Sequence, residues 1–526
     1  MNKEQVGKFF KTVLYKGIFV FLLYYLLITN DLVNYCDGLF TSPYYKAGDW
    51  ELRIGRWLLR YVDMLTGGLA INPFASIGAL FFFLLGVQLI WSMTGERHGC
   101  WKDYFCSFFF LGNPYVCVVL SYRYTSLSYA LGFLLSVSAI LLIFRSVDEK
   151  GKRMTAMWLG AVLLIACAMA VYQSNLGFMS LLTLFGLYLL TFRIEAKGKS
   201  IGRYIGSALL CGLFGGLSYL LILKEELIRH GLKMSGYKNA GDFSVRTIIA
   251  SIPASFKTVY QYFKCYFGGA WNASVRWNRL CSGRWARIEL ILIVLLFLLL
   301  FFKGFKKNKV AAVLLLPVFL LFPAFINITE FLTPGAGFLI QQSGPFALFI
   351  MLIAMLFLLE LPGTISRKVL DKAAVALIVC VIGLFLYGEL MQTVIDQEAM
   401  KEGLIANDSL VQSVTDYLIR TGRYDEKQKY AIMGTPSGSP LYYTSEIYDK
   451  ANAYARTGDF IWPSYHMQKS WTGAVRYRKG IMLKNIKKKE YARFYDDQRV
   501  LNMPVFPTEG SVQELDGVII IKVAER

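Results

Sequence analysis

The residues best equipped for chemistry crowd into one early segment. Asp31, Asp37, Asp49 and Glu51 are followed by Arg53, Arg56 and Arg60 within DWELRIGRWLLRYVD, residues 49–63. A carboxylate can take the proton of an attacking hydroxyl, and a guanidinium presents paired donors to a phosphate. Together they suit displacement of a phosphate leaving group. Read as one helix, 49–63 sets Trp50, Ile54, Trp57, Leu58 and Tyr61 on an apolar face and the three arginines on another. Such a helix lies in the plane of a bilayer, rings among acyl chains and guanidiniums at headgroup depth. An interfacial anchor has the same pattern, so this segment alone does not decide.

Two further polar groups interrupt apolar sequence. Tyr122-Arg123-Tyr124-Thr125-Ser126 follows Asn113-Pro114, and Tyr172-Gln173-Ser174-Asn175 forms a tight turn. Arg123 adds a cation, and Tyr124, Tyr172, Gln173 and Asp49 are candidates to line a pocket for donor and acceptor. Tyrosine and amide side chains are also ordinary residues of a membrane boundary. The sequence has no phosphate-cradling glycine loop, no zinc spacing and no Ser-His-Asp elbow. Nine cysteines are scattered; Cys265 and Cys281 share a loop and could pair. No cofactor is expected, and a divalent metal has no ligand spacing to support it.

These groups must be held by a membrane scaffold. The chain has 526 residues, 55% hydrophobic and only 17% charged, against about a quarter charged in soluble domains. Apolar runs at 17–29, 71–91, 104–122, 127–144, 154–171, 175–192, 204–223, 287–302, 310–326, 345–361 and 373–390 predict about eleven transmembrane helices, with ten or twelve as alternatives. Basic residues concentrate in alternate loops, such as Lys150, Lys152 and Arg153 or Lys303, Lys306 and Lys307. This explains the net charge of +20 without nucleic acid. It also puts the N-terminus in the cytoplasm and the C-terminal region outside. A retained first helix is expected rather than a cleaved signal. Outer loops then span 30–70 and 224–286, the second with an interfacial helix over Ile248–Phe267.

The fold class is an α-helical polytopic membrane protein with a C-terminal extracytoplasmic α/β domain. Residues 1–390 form the membrane domain and 391–526 the soluble one. In the latter, helical periodicity over Gln392–Thr421 precedes a strand at Lys429–Met433. A turn over 434–440, a helix at Ser445–Tyr454 and a strand at Val518–Val523 follow. The helix interiors read as almost free of ionisable groups, which weighs against an ion-coupled transporter. Histidines stand only at 98, 230 and 466, none of them within a predicted span, which disfavours an intramembrane catalytic histidine.

The chain resembles the bacterial GtrII-like glucosyltransferases, multi-spanning enzymes of the GT-C class. The likeness rests on Asn34-Tyr-Cys-Asp-Gly38, Trp50…Gly55-Arg-Trp57, Asn113-Pro114 with Tyr122-Arg-Tyr-Thr125, Tyr172-Gln-Ser174, Met503-Pro-Val-Phe-Pro507 and Leu515-Asp-Gly-Val-Ile519. The resemblance implies a GT-C-like fold in the bacterial cytoplasmic membrane. It implies transfer of a hexose, glucose above all, from a polyprenyl-phosphate sugar lipid to a surface polysaccharide on the outer face. By position Asp37 matches the base and Glu51 a supporting acid; Arg56 matches the family arginine, joined by Arg53 and Arg123 at the donor phosphate. Where many relatives carry an acid after the Tyr-Thr pair, this chain has Ser126-Leu127-Ser128. No second carboxylate or metal ligand is implied there. The alternatives are a flippase or transporter of lipid-linked glycans, and a polymerase of such glycans.

Overall fold

A computed structural model describes residues 3–34, 37–41, 44–194, 196–236, 245–268, 291, 322–331, 346–347, 349–350, 353, 368–452 and 465–525. Cys281 and most of the runs 287–302, 310–326 and 345–361 lie outside these residues. The protein is mostly helical. In chain order the first helices are α1 (Lys3–Leu23), α2 (Tyr25–Thr29), α3 (Asp37–Thr41), α4 (Asp49–Arg53), α5 (Trp57–Leu65), α6 (Phe74–Met93), α7 (Trp101–Leu111) and α8 (Pro114–Ser121). Then come α9 (Arg123–Ser146), α10 (Gly151–Val171), α11 (Asn175–Tyr188), α12 (Gly198–Arg229), α13 (Val245–Gly268) and the long α14 (Lys368–Arg420).

Helices α6, α9, α10 and α12 are long and apolar enough to cross a membrane, and α7 with α8 makes a fifth span if the pair counts as one. The expected eleven are therefore not reached among the described residues. Helix α9 packs along both α6 and α10, and α10 along α12.

The α7–α8 pair bends by 47°. Pro114 has no N–H to continue a helix, and Asn113 caps the new start by accepting the Tyr115 N–H at 2.9 Å. Broken helices leave backbone groups unsatisfied, and in an apolar surrounding only protein can meet them. Helix α14 does so: Thr393 Oγ1 donates to the Gly112 carbonyl at 2.8 Å, and Glu389 accepts from Asn113 Nδ2 at 3.0 Å. At the α1–α2 break, Gln397 donates to Leu23 O and accepts the Leu27 N–H.

Charge is nonetheless buried at the edge of the predicted spans: Lys16, inside α1, is fully buried against Asp103 of α7, itself fully buried. Hydropathy alone places Lys16 before the first span, because the apolar run starts immediately after it.

Beyond α14, the C-terminal region folds around a four-stranded sheet in the order β2-β1-β4-β3. The strands are β1 (Lys429–Met433), β2 (Lys484–Asn485), β3 (Val512–Leu515) and β4 (Val518–Lys522). Strand β1 runs parallel to β2 and β4, while β3 and β4 form an antiparallel hairpin. Its turn is Asp516-Gly517, both with positive φ, the two-residue geometry that matches strand twist. Helices α15 (Glu446–Asn452) and α16 (Tyr465–Lys479) lie between β1 and β2 in sequence. Helix α14 is continuous through residue 390, so the sequence boundary between membrane and soluble parts falls inside a helix.

Candidate active site

The 49–63 segment is not one helix. It breaks at Ile54-Gly55 between α4 and α5. Gly55 has φ +86°, and a Cβ there would stand 2.3 Å from Tyr219 Oη and 2.5 Å from Gln173 Nε2. Only glycine fits that turn. Gln173 donates to Ile54 O at 2.7 Å and to Tyr219 Oη at 3.0 Å, and Tyr219 donates to Gly55 O at 3.0 Å. Gln173 thus clamps the turn.

The break points Arg56 inward. Its guanidinium carbon sits 4.3 Å from the Tyr172 ring centroid, and Nη1 donates to Tyr129 Oη at 3.4 Å. Tyr129 and Tyr172 stack at 4.9 Å and 9°, and cation and rings attract through the ring quadrupole. Arg56 Nε is buried with no hydrogen-bond partner among the described residues. Arg53 and Asp49 lie elsewhere, in an exposed group. Arg53 Nε donates to Lys233 O at 3.2 Å, while Arg60 is 3.7 Å from Asp49 and 2.9 Å from His230 Nε2.

Asp37 opens α3 and is exposed. Its position is set by Asn34, which accepts the Gly38 N–H at 3.1 Å and donates to Ser121 O at 3.1 Å. Ser121 ends α8, so the tether ties α3 to the start of α9 two residues on. There Arg123, 5% exposed, pairs with half-exposed Asp31. Tyr124 feels the charge of Asp37 and meets Tyr45 edge-on, centroids 4.8 Å apart. Tyr45 in turn hydrogen-bonds Glu51, and burial, reinforced by the Glu51 charge, pushes its phenol well above the usual range. Glu51 also accepts the Gly48 N–H at 2.7 Å, capping α4.

A residue absent from the sequence candidates completes the group. Asp63, on α5, is 5% exposed and accepts the Ala47 N–H at 2.8 Å. Burial pushes its carboxyl up to about 7; the Ala47 N–H pulls the other way, and the Glu51 charge adds to the rise. Asp63 lines a cleft with Thr66, Phe74, Arg123, Tyr124 and Ser128. Its partner Ala47 is 16 residues away, so only a local pairing of Asp63 with the Tyr44–Gly48 segment could have flagged it.

The structure therefore gathers Asp37, Arg123 and Tyr124, and links them through tyrosines to Glu51, Arg56 and Tyr172. Arg53 and Asp49 form the second, exposed group, and Gln173 serves the backbone. The arrangement supplies one exposed carboxylate, one buried carboxyl poised near neutrality, a buried guanidinium and several aromatic faces. Among the described residues, no three histidine, cysteine or carboxylate side chains gather as metal ligands.

No curated protein and no solved structure matches the chain. The family described as Glucosyl transferase GtrII matches residues 25–359, which include every candidate named above, while the C-terminal region lies beyond the match. With well over half its length matched, the chain belongs to the glucosyl transferase GtrII family and is a glucosyltransferase.

Proposed function

We propose that this glucosyltransferase moves glucose from a polyprenyl-phosphate donor to a surface polysaccharide, on the outer face of the bacterial cytoplasmic membrane. The observation that carries the reading is the placement of exposed Asp37 near Tyr124, whose chain neighbour Arg123 is buried and pairs with half-exposed Asp31. In a direct displacement, Asp37 accepts the proton of an acceptor hydroxyl as its oxygen bonds to the anomeric carbon. The bond from that carbon to the phosphate oxygen breaks with its electron pair, and the configuration inverts. Polyprenyl phosphate leaves with an added negative charge, which Arg123 is best placed to stabilise. Arg56 holds charge deeper among the tyrosines, and Arg53 stands at the exposed rim. Glu51 supports the site by fixing α4 and Tyr45.

The tyrosine faces suit a hexose, which offers apolar C–H faces between its hydroxyls. A GT-C arrangement with eleven spans and an extracytoplasmic C-terminal domain fits this reading, as does a reaction without a metal. The test is transfer of labelled glucose from polyprenyl-phosphate glucose by purified protein in liposomes. An Asp37→Asn variant that folds and still transfers at the wild-type rate removes Asp37 from the role. Leaflet-to-leaflet movement of the labelled lipid without any transfer would favour a flippase.

A further inference from the structure

Helix α16 belongs to the part of the chain beyond the family match, yet it reaches the candidate site. It packs flat on α3, the helix that carries Asp37. At the contact, a Cβ on Gly473 would stand 2.6 Å from Leu39 O, so the two backbones approach as closely as glycine permits. Lys469 Nζ lies 5.4 Å over the Phe40 ring, and Arg476 Nη2 donates to Phe40 O at 3.4 Å.

The last turn of α16 is basic, with Arg476, Arg478 and Lys479. The Arg478 cation is close enough to buried Arg123 to repel it. Arg476 stacks on Tyr477 at 4.4 Å, and its buried Nε has no hydrogen-bond partner among the described residues. Arg478 meets the Asp408 carboxylate at 3.7 Å. Burial pushes the Asp408 carboxyl up, and the Arg478 and Lys479 charges pull it down. The last turn thus carries three cations to the side of α3 and α9 where Arg123 pairs with Asp31, with Asp408 the carboxylate that Arg478 meets. Like charges held near one another are costly unless an anion joins them.

We propose that the last turn of α16, through Arg478 and Arg476, completes with Arg123 a binding site for the phosphate of the polyprenyl carrier. This rests on the reading of the active site given above. Guanidiniums from two directions match the oxygens of a phosphate monoester, the form in which the carrier leaves. The C-terminal region then closes the site as well as covering it.

The experiment is equilibrium binding of polyprenyl monophosphate to the full chain in phosphatidylcholine nanodiscs, alongside KM and kcat for glucose transfer. Arg478→Gln is expected to weaken binding and raise KM by roughly ten- to a hundredfold, the worth of a charge-assisted hydrogen bond. Arg478→Lys should recover part of the loss, and Arg476→Gln should act in the same direction. Asp408→Asn removes the ion pair but keeps the cation, so its affinity should hold or rise. An Asp408→Asn loss as large as that of Arg478→Gln would mean that Arg478 only braces the domain, and the proposal falls. Wild-type affinity in Arg478→Gln and Arg476→Gln, with binding lost in Arg123→Gln, also overturns it while leaving the active-site reading intact. Full transfer by Asp37→Asn would instead strike that reading. Inorganic phosphate competing at the same concentration as the lipid would identify free phosphate as the ligand and exclude the carrier.

Discussion

Two ion pairs that bury a cation sit at opposite ends of the helical bundle and differ in one respect. At the far end, Lys16 and Asp103 are both fully buried, and every oxygen and nitrogen has company. Lys16 also donates to Ser107 Oγ at 2.8 Å, and Asp103 accepts the Gly99 N–H at 2.8 Å. Gln88 donates to both Asp103 and Ser107, and His98 meets Gln88 at 3.2 Å. At the site end, Arg123 is buried but its partner Asp31 is half exposed, and a cleft opens beside them. A pair buried on both sides specifies how helices meet; a pair with one half-exposed member can be reached by a ligand. Burial of one charge does not distinguish structure from function, whereas exposure of its partner beside a cleft does.

Four single substitutions and one double variant would break or sharpen that contrast. The largest effect is expected from Asp37→Asn, which should lower transfer by roughly a hundredfold to ten-thousandfold, the usual worth of a positioned base. Thermal unfolding in detergent should be unchanged. Next, Lys16→Met should cost about 3–5 kcal/mol, because it strands the Asp103 charge. Its melting temperature should fall, while kcat of the folded fraction stays the same. The double variant Lys16→Met with Asp103→Leu should regain most of the stability. Loss of kcat in the folded single variant would mean that the far-end pair is more than structural.

Asp63→Asn comes third. The Asp63 pKa is higher in the folded protein than in the unfolded chain, so the folded state binds more protons between about pH 4 and 7. Wild-type stability should therefore fall as pH rises across that window, and the buried ionised form should be least favourable above 7. Asp63→Asn should flatten this component and melt several degrees higher than wild type at pH 8. An unchanged pH profile would show that Asp63 titrates as an ordinary carboxylate. The smallest effect is expected from Arg53→Gln, in the exposed group, with KM altered by about twofold or less. A tenfold loss there would move the phosphate site away from Arg123.

Legibility from sequence followed the range of the interactions. Strand β1 appears exactly where branched and aromatic residues precede the 434–440 turn, and the helix predicted over Ser445–Tyr454 appears as α15. The apolar runs near 71–91, 127–144, 154–171 and 204–223 became α6, α9, α10 and α12, because hydropathy is a local property. The break in 49–63 was not legible: helical spacing is satisfied throughout, and only contact with Tyr219 and Gln173 requires Gly55 at positive φ. Lys16 and Asp103 are 87 residues apart, and Arg476 and Phe40 are 436 apart. Nothing in either neighbourhood announces such partners. The Asp-Gly within 515–519 forms the tight turn of the β3–β4 hairpin.

The 53 residues of α14 amount to a shaft about 80 Å long at 1.5 Å per residue. One stretch of it grips the α7–α8 bend, and a later stretch packs on α15 and α16. A shaft transmits angle as well as distance. Adding a single residue between the two grips would turn the upper one by about 100° relative to the lower. The facing of α16 towards α3 is therefore a matter of phase, fixed by how many residues separate Thr393 from the C-terminal sheet.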